Sequence, residues 1–542
     1  MNTTHSRRHV LVALRATLTA LALVASGATG LTTGVSVAAS STAPIVSTQS
    51  GAVQGMTVPG GYAFLGLPYA APPTGNLRWR APRRPSTWTG IRDATQFAPS
   101  CPQQPSLFAP PGPMSEDCLY LNVYTPTLGS RGGGEGNGKG YRPVLVWIHG
   151  GGLAKDGGRN YDPTKLMAED GIVVITINYR LGALGFLAHP ALASRPGGPA
   201  GNYGLMDQQA ALRWVQRNIA QFGGNPHNVT IAGQSAGGLS VLAQLVSPRA
   251  RGLFQRAIVE SGAFALTQQS LASAEAFGES FATQVGCADQ SAACLRSVPV
   301  STLVKDFPGA AIPGVVDGKV LTESIGTALA AGRFTHVPVL DGTNHDEERL
   351  FVADQGVAVS GGTFVGVPND TYQNQIAAVL GVSNTRAAAI AAEYPVGNYY
   401  SQTVALSTLV ADANFACPAF QVDTLTSQQG APTFAYEFND DTAPPRYAPT
   451  NPPVATHGSE LPYIFDLPNA PIQAPFSPDQ ETLAASMRAA WASFAATGDP
   501  STAATPWPSF GNNGQVMSLV PPQPQVETSF ATNHHCAFWA AG

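Results

Sequence analysis

"VTIAGQSAGG", Val229 to Gly238, runs from β-branched residues into a serine bracketed by glycines and then into small residues. Its start suits a buried strand and its end suits the first turn of a helix. Gly233 and Gly237 stand two positions either side of Ser235, the Gly-x-Ser-x-Gly spacing. The spacing has a steric reason: a serine held at the apex of a sharp strand-to-helix turn leaves no room for side chains two residues away. A helix that begins just after Ser235 also directs backbone N–H groups at any anion formed above the hydroxyl. The stretch sets two expectations together, an α/β sheet and a nucleophilic serine at the end of one of its strands.

Neighbouring segments supply more of such a sheet. "RPVLVWIHG" (142–150) and "GIVVITINY" (171–179) are short β-branched runs of the kind buried in parallel or mixed sheets. Between the second run and Val229, "LMDQQAALRWVQRNIAQFGG" (205–224) repeats Leu212, Val215 and Ile219 at helical spacing and ends at Gly223-Gly224. The order is β-α-β, which predicts a mostly parallel twisted sheet flanked by helices, with further helices and loops from 265–335 and 352–450. "TLGSRGGGEGNGKGY" (127–141) lacks Gly-Lys-Ser/Thr and therefore reads as a flexible hairpin connection rather than a phosphate loop. "DDTAPPRYAPTNPPV" (440–454) reads as an irregular surface segment. No internal repeat and no linker-bounded second domain interrupts the pattern.

A second glycine loop follows the strand at 142–150. His149-Gly150-Gly151-Gly152 is the type of loop that supplies oxyanion-hole N–H groups in α/β-hydrolases, because glycine lets backbone donors approach a substrate carbonyl. His149 is read as an organiser of this loop rather than a base. In that fold the acid and then the histidine come later in the chain than the serine. The later histidines are His336, His345, His457, His534 and His535, the last two abutting Cys536 where surface packing is the simpler reading. "NHDEERLF" (344–351) offers Asp346, Glu347 and Glu348 after the strand-like "HVPVLDG" (336–342). Charge alone does not choose among these three acids. A metal site is not expected here, since no companion ligands with metal spacing lie nearby in the sequence.

Bulk properties narrow the class. A net charge of −5 and a pI near 6.1 give no basis for a nucleic-acid or anionic-membrane partner. Arg7 and Arg8 precede an apolar run and then small residues, so 1–39 is read as a removed signal peptide and 40–542 as a single catalytic domain. Ser6-Arg7-Arg8 also resembles a twin-arginine export signal. No later stretch is apolar enough to anchor the mature chain, so a secreted protein without a membrane anchor is expected. An even set of six cysteines agrees with an oxidising compartment, although six permit fifteen pairings.

Taken in order, "FLGLPYAAPPTGNLRWRAP" (64–82), "SEDCLYLNVYTP" (115–126), "WIHGGGL", "NYRLGALGFL" (178–187), the helix at 201–226, "IAGQSAGG", "FQRAIVESG" (254–262), "NHDE" and "THGSELPYIF" resemble the type-B carboxylesterases, the family of cholinesterases and GGGX lipases. The resemblance implies the α/β-hydrolase fold and a triad of Ser235 as nucleophile, Glu347 as acid and His457 as base, with Asp346 the fallback acid. It implies an oxyanion hole at Gly151, Gly152 and Ala236, Ser261 and Gln234 beside the triad, and a structural ion pair between Arg78 and Glu116. It also implies the pairings Cys101–Cys118, Cys287–Cys294 and Cys417–Cys536. Glu348 is expected to be solvated or paired with Arg349.

Three departures from the family pattern bear on function. Gln234 stands where the family usually has Glu, Glu348 stands where it usually has Gly, and the loop from Cys101 to Cys118 is short and holds no Trp. Without that Trp there is little support for quaternary-ammonium specificity. The expected function is hydrolysis of small-molecule carboxylic esters through an acyl-enzyme, with no cofactor and no metal. The alternatives are a lipase acting on longer glycerides and an inactive neuroligin-like adhesion module. Because a neutral His457 is required, activity is expected to fall below pH about 6 to 7.

Overall fold

Eleven strands form the sheet on which the serine sits. In chain order they are β1 (Met56–Val58), β2 (Gly61–Pro68), β3 (Tyr120–Thr125), β4 (Arg142–Ile148), β5 (Val173–Ile177), β6 (Gly224–Gln234), β7 (Arg256–Glu260), β8 (Val339–Asn344), β9 (Thr433–Phe438), β10 (Val516–Leu519) and β11 (Gln525–Glu527). Across the sheet they run β11-β10-β9-β8-β7-β6-β4-β5-β3-β2-β1. Neighbours from β5 through β10 are parallel, and the pairs at both edges are antiparallel. This is the α/β-hydrolase architecture. The computed structural model describes residues 43–541, apart from 107–109, 130–139, 194–199, 308–313, 352–356, 361–362, 367–370 and 447–452. The expected leader, 1–39, lies outside the described residues.

Side-chain alternation along the strands builds a core on each face. Val144, Val146 and Ile148 of β4 point into one apolar cluster with Ile231 of β6, while Leu145 and Trp147 point into the other with Ala232. Helices α1 (Tyr203–Asn218) and α2 (Ala236–Val246) cover the first face. The long helix Pro478–Thr497 covers the second with Met487, Trp491 and Phe494. Its start carries a capping box between Ser477 and Gln480. Between α1 and α2 the packing is polar and fully buried. Gln208 Nε2 donates to Ser240 Oγ at 3.0 Å, Gln209 Nε2 to Gln244 Oε1 at 2.9 Å, and Gln244 Nε2 to Gln208 Oε1 at 2.9 Å. Cutting one partner of such a chain leaves a buried polar group unpaired and costs about 1–3 kcal/mol, so these bonds set the seat of α2, the helix that follows Ser235.

Two expectations are corrected here. The glycine-rich 127–141 segment does not close a hairpin, because β5 lies between β3 and β4, the two strands it joins. Residues 130–139 themselves are outside the described residues. The strand predicted at 336–342 instead spans Val339–Asn344, beginning after Pro338, whose ring nitrogen has no N–H for the ladder. Among the described residues one helical segment, Gln402–Gln428, is long and apolar enough to cross a membrane, against the expectation that no later stretch would be, but most of its apolar stretch is buried in the protein.

Candidate active site

β6 ends at Gln234, α2 begins at Ala236, and Ser235 stands between them at φ 58°, ψ −126°. Side chains rarely adopt this region, which typically costs about 1–3 kcal/mol. The turn is held by Ser235 N donating to Glu260 O at 2.8 Å and Leu239 N donating to Ser235 O at 2.9 Å. The flanking glycines are sterically required: a Cβ on Gly237 would sit 2.0 Å from the Ile148 oxygen, and one on Gly233 would sit 2.6 Å from the Gly237 carbonyl carbon.

The second glycine loop leaves the end of β4 and lies against the serine, with a Cβ position on Gly150 only 3.1 Å from Ser235 Cβ. Gly151 and Gly152 take φ of 86° and 64°, the left-handed region that glycine adopts without steric cost. Among the described residues, the N–H groups of Gly151, Gly152 and Ala236 donate to no protein acceptor. His149 is buried, stacks on Tyr179 at 4.4 Å between ring centroids, and has Nδ1 3.0 Å from Gly150 O. Burial holds its pKa below the ordinary value, so it stays neutral in its structural place. Gln103 anchors the far side of the loop by a reciprocal pair: Nε2 donates to Asp156 O and Oε1 accepts from Asp156 N, both at 2.8 Å. Sequence reasoning missed this clamp, which spans 53 positions and follows no motif.

The residues expected as acid and base converge from two loops. Glu347 opens a short 3₁₀ turn after β8 and is fully buried. Its Oε1 accepts from Thr343 Oγ1 at 2.7 Å and from Asn344 N at 2.8 Å, and its Oε2 lies 2.5 Å from His457 Nδ1. That leaves His457 Nε2 free to act as acceptor, and Gln234 Nε2 faces it at 3.3 Å. No hydrogen bond joins Ser235 Oγ to His457 in this structure. Burial pushes the His457 pKa down, but the charge and hydrogen bond of Glu347, with Glu460 and Glu348 behind them, raise it above the ordinary value. Phe351 and Phe415 close over the imidazole at 5.1 and 5.3 Å, and Phe264 packs on Phe415 at 5.6 Å. Phe415 lies in a π-bulge, Asp412–Ala416, inside the helical run from Gln402 to Gln428.

Other expected residues fall as follows. Ser261 is buried at φ 49°, with its N–H donating to Gly342 O at 2.7 Å, and its hydroxyl has no protein partner. Arg78 grips Glu116 with two bonds of 2.6 and 2.7 Å, and Cys101–Cys118, Cys287–Cys294 and Cys417–Cys536 are bonded. A second buried pair, Arg180 with Asp207, escaped the sequence reading. Glu348 is not solvated: it is buried, which raises its pKa to about 7. His534 is not at the surface either. It is buried, with Nδ1 2.5 Å from Asp412 Oδ1 and Nε2 2.6 Å from Glu437 Oε1. Asp346, the fallback acid, meets His345 Nδ1 at 2.9 Å rather than His457.

The carboxylesterase family model matches residues 42–539. The cocaine esterase of Homo sapiens is 35% identical over 92% of this chain and 91% of its own length. The para-nitrobenzyl esterase of Bacillus subtilis (strain 168) is 35% identical over 86% of this chain and 92% of its own. Among solved structures, a thermophilic PNB esterase superposes with a TM-score of 0.77 at 32% identity, covering 91% of this chain and all of that one.

Proposed function

This chain belongs to the carboxylesterase family and is a carboxylic ester hydrolase, and from that premise we propose that it is an exported enzyme that hydrolyses small-molecule esters through an acyl-enzyme on Ser235. The carrying observation is the 2.5 Å contact of His457 Nδ1 with Glu347, whose other oxygen is pinned by Thr343 and Asn344. This arrangement keeps the proton on Nδ1 and the lone pair on Nε2, the tautomer a general base needs. Three steps follow. Ser235 Oγ attacks the ester carbonyl and its proton passes to His457 Nε2, with the Gln234 amide giving way. The oxyanion takes hydrogen bonds from Gly151, Gly152 and Ala236, each worth roughly 3 kcal/mol in such holes. His457 then protonates the departing alcohol, and water repeats the sequence to release the acid.

The rings of Phe264, Phe351 and Phe415 beside the base favour esters with an apolar acyl or alcohol group. Export rests on the leader expected at 1–39, with 40–542 as the mature single domain, and on the three disulfides. The test is labelling with a fluorophosphonate followed by peptide mapping. Modification at Ser235, abolished together with hydrolysis in Ser235→Ala, is expected. Full turnover in Ser235→Ala would overturn the mechanism.

A further inference from the structure

Behind the acid's loop lies a second constellation that the ester chemistry does not use. His345 follows β8, Glu437 is on β9, and His534 comes from the C-terminal segment that Cys417–Cys536 ties down. One donor atom from each lies within 4.8 Å of the other two. Both imidazoles have one nitrogen held by a carboxylate: Asp412 takes His534 Nδ1 at 2.5 Å, and Asp346 takes His345 Nδ1 at 2.9 Å. Asp412 is itself braced by Tyr394 OH at 2.8 Å, and that hydroxyl accepts from Trp539 Nε1 at 2.7 Å. A carboxylate bonded to one nitrogen of a histidine is the support that metal-ligating histidines use. Among the described residues, the other grouping of metal-ligating types, Cys287, Asp289 and Cys294, offers no thiolate because its cysteines are bonded to each other.

We infer that His345, Glu437 and His534 form a binding site for a divalent transition ion of the zinc type, a clasp joining the loop of Glu347 to β9 and the C-terminal segment. Two imidazoles and one carboxylate suit a borderline ion, with water in the fourth position. His345 is partly exposed and gives the ion a way in. Donors on a tetrahedral ion with bonds near 2.1 Å stand about 3.4 Å apart. The 2.6 Å line from His534 Nε2 to Glu437 Oε1 must therefore open by roughly 0.8 Å, and its proton leaves to solvent. Glu437 has the latitude for this, since its other oxygen is held only by the half-buried Asn439 side chain at 2.8 Å. The ion touches neither Ser235 nor His457, so hydrolysis proceeds without it.

The test is titration of untagged, chelator-treated enzyme with Co²⁺, read by visible ligand-field absorption, with Zn²⁺ as competitor and melting temperature as a second readout. The expected result is an intense low-coordinate cobalt spectrum saturating at about one equivalent and displaced by zinc. Zinc in hundredfold excess over its dissociation constant should also raise Tm by a few degrees. His345→Gln, at a partly exposed position, should fold normally and lose both signals, and Glu437→Gln should weaken binding at least tenfold. An unchanged aqueous cobalt spectrum in the wild type, or undiminished binding in His345→Gln, would overturn the inference.

Discussion

Replacing Glu347 by Gln is the sharpest perturbation of the proposed triad, because the local hydrogen bonds dictate which way the new amide must point. Oε1 of Glu347 accepts from the Asn344 N–H and the Thr343 hydroxyl, at 2.8 and 2.7 Å. Turning an NH₂ group toward that backbone N–H would leave a buried donor unpaired, at a cost of about 1–3 kcal/mol. The amide oxygen therefore stays there, and the amide nitrogen faces His457 Nδ1. A donor in that place draws the lone pair onto Nδ1 and moves the ring proton to Nε2, where it can no longer accept from Ser235. Wrong-tautomer variants of serine triads lose roughly 10⁴ in kcat, so kcat/KM should fall by about 10³–10⁴, or 4–5.5 kcal/mol of transition-state stabilisation. Folding should be nearly unaffected, since every buried partner is still bonded. The acid limb of the residual activity should also move to lower pH, because the Glu347 charge is what raises the His457 pKa against burial. Asp346→Asn is the matched control. Its carboxylate meets only the partly exposed His345, a contact worth at most about 1 kcal/mol, so the loss should not exceed about fivefold. Initial-rate kinetics on a chromogenic ester from pH 5 to 9, with melting curves, read all three effects. A loss under tenfold in Glu347→Gln, or a larger loss in Asp346→Asn, would refute the reasoning.

Gln234→Glu places a carboxylate about where the amide now meets His457 Nε2 at 3.3 Å. It should favour the imidazolium, move the acid limb of kcat/KM up in pH, and lower activity several-fold at pH 7 with recovery near pH 9. A limb that stays put would show that the amide is not held against the base. Asp341 is fully buried, and burial, outweighing a backbone hydrogen bond from Gly342, raises its pKa well above the ordinary value. The folded state keeps its proton while the unfolded chain loses it above pH about 4, so the destabilisation grows as pH rises toward the folded pKa. Asp341→Val should therefore raise Tm by a few degrees at pH 8 and by less at pH 5, measured by scanning calorimetry. Cys417–Cys536 spans 119 residues and Cys287–Cys294 only 7. On chain entropy their paired Cys→Ala variants should lose about 5 and about 2 kcal/mol respectively, so the order of the two losses in denaturant titration is the check.

The legible parts of this protein are the ones whose physics is local. A run of β-branched residues, two glycines that must lack Cβ, and a helix start within ten positions identify β6, Ser235 and α2 without any distant contact. The same holds for His149 to Gly152, whose glycines announce a backbone that has to turn tightly. Sequence reading failed where a residue's environment is assembled across the chain. Glu348 carries a charge and reads as solvated, yet the packing of its 3₁₀ turn buries it. His534 has an unremarkable setting near the C-terminus, but β9 and the π-bulge at Asp412 place a carboxylate on each of its nitrogens. The Gly-rich segment at 127–141 looked like a hairpin because strand adjacency in a sheet is not encoded between the two strands it joins.

By itself, then, the amino-acid sequence determined the β-α-β pattern, the sharp turn at Ser235 and the glycine loop at His149 to Gly152, since these depend on side-chain size and backbone freedom over a few residues. Among the three adjacent acids, charge did not choose and the family resemblance pointed to Glu347, but the physical reason it meets the histidine lies only in the tertiary structure. Burial of Glu347 and its two donors from the end of β8 give it a fixed place 2.5 Å from a residue 110 positions away, while Asp346, one peptide unit earlier, is turned toward the partly exposed His345. Successive side chains on a tight turn point in different directions, and only the surrounding strands determine which direction leads to His457.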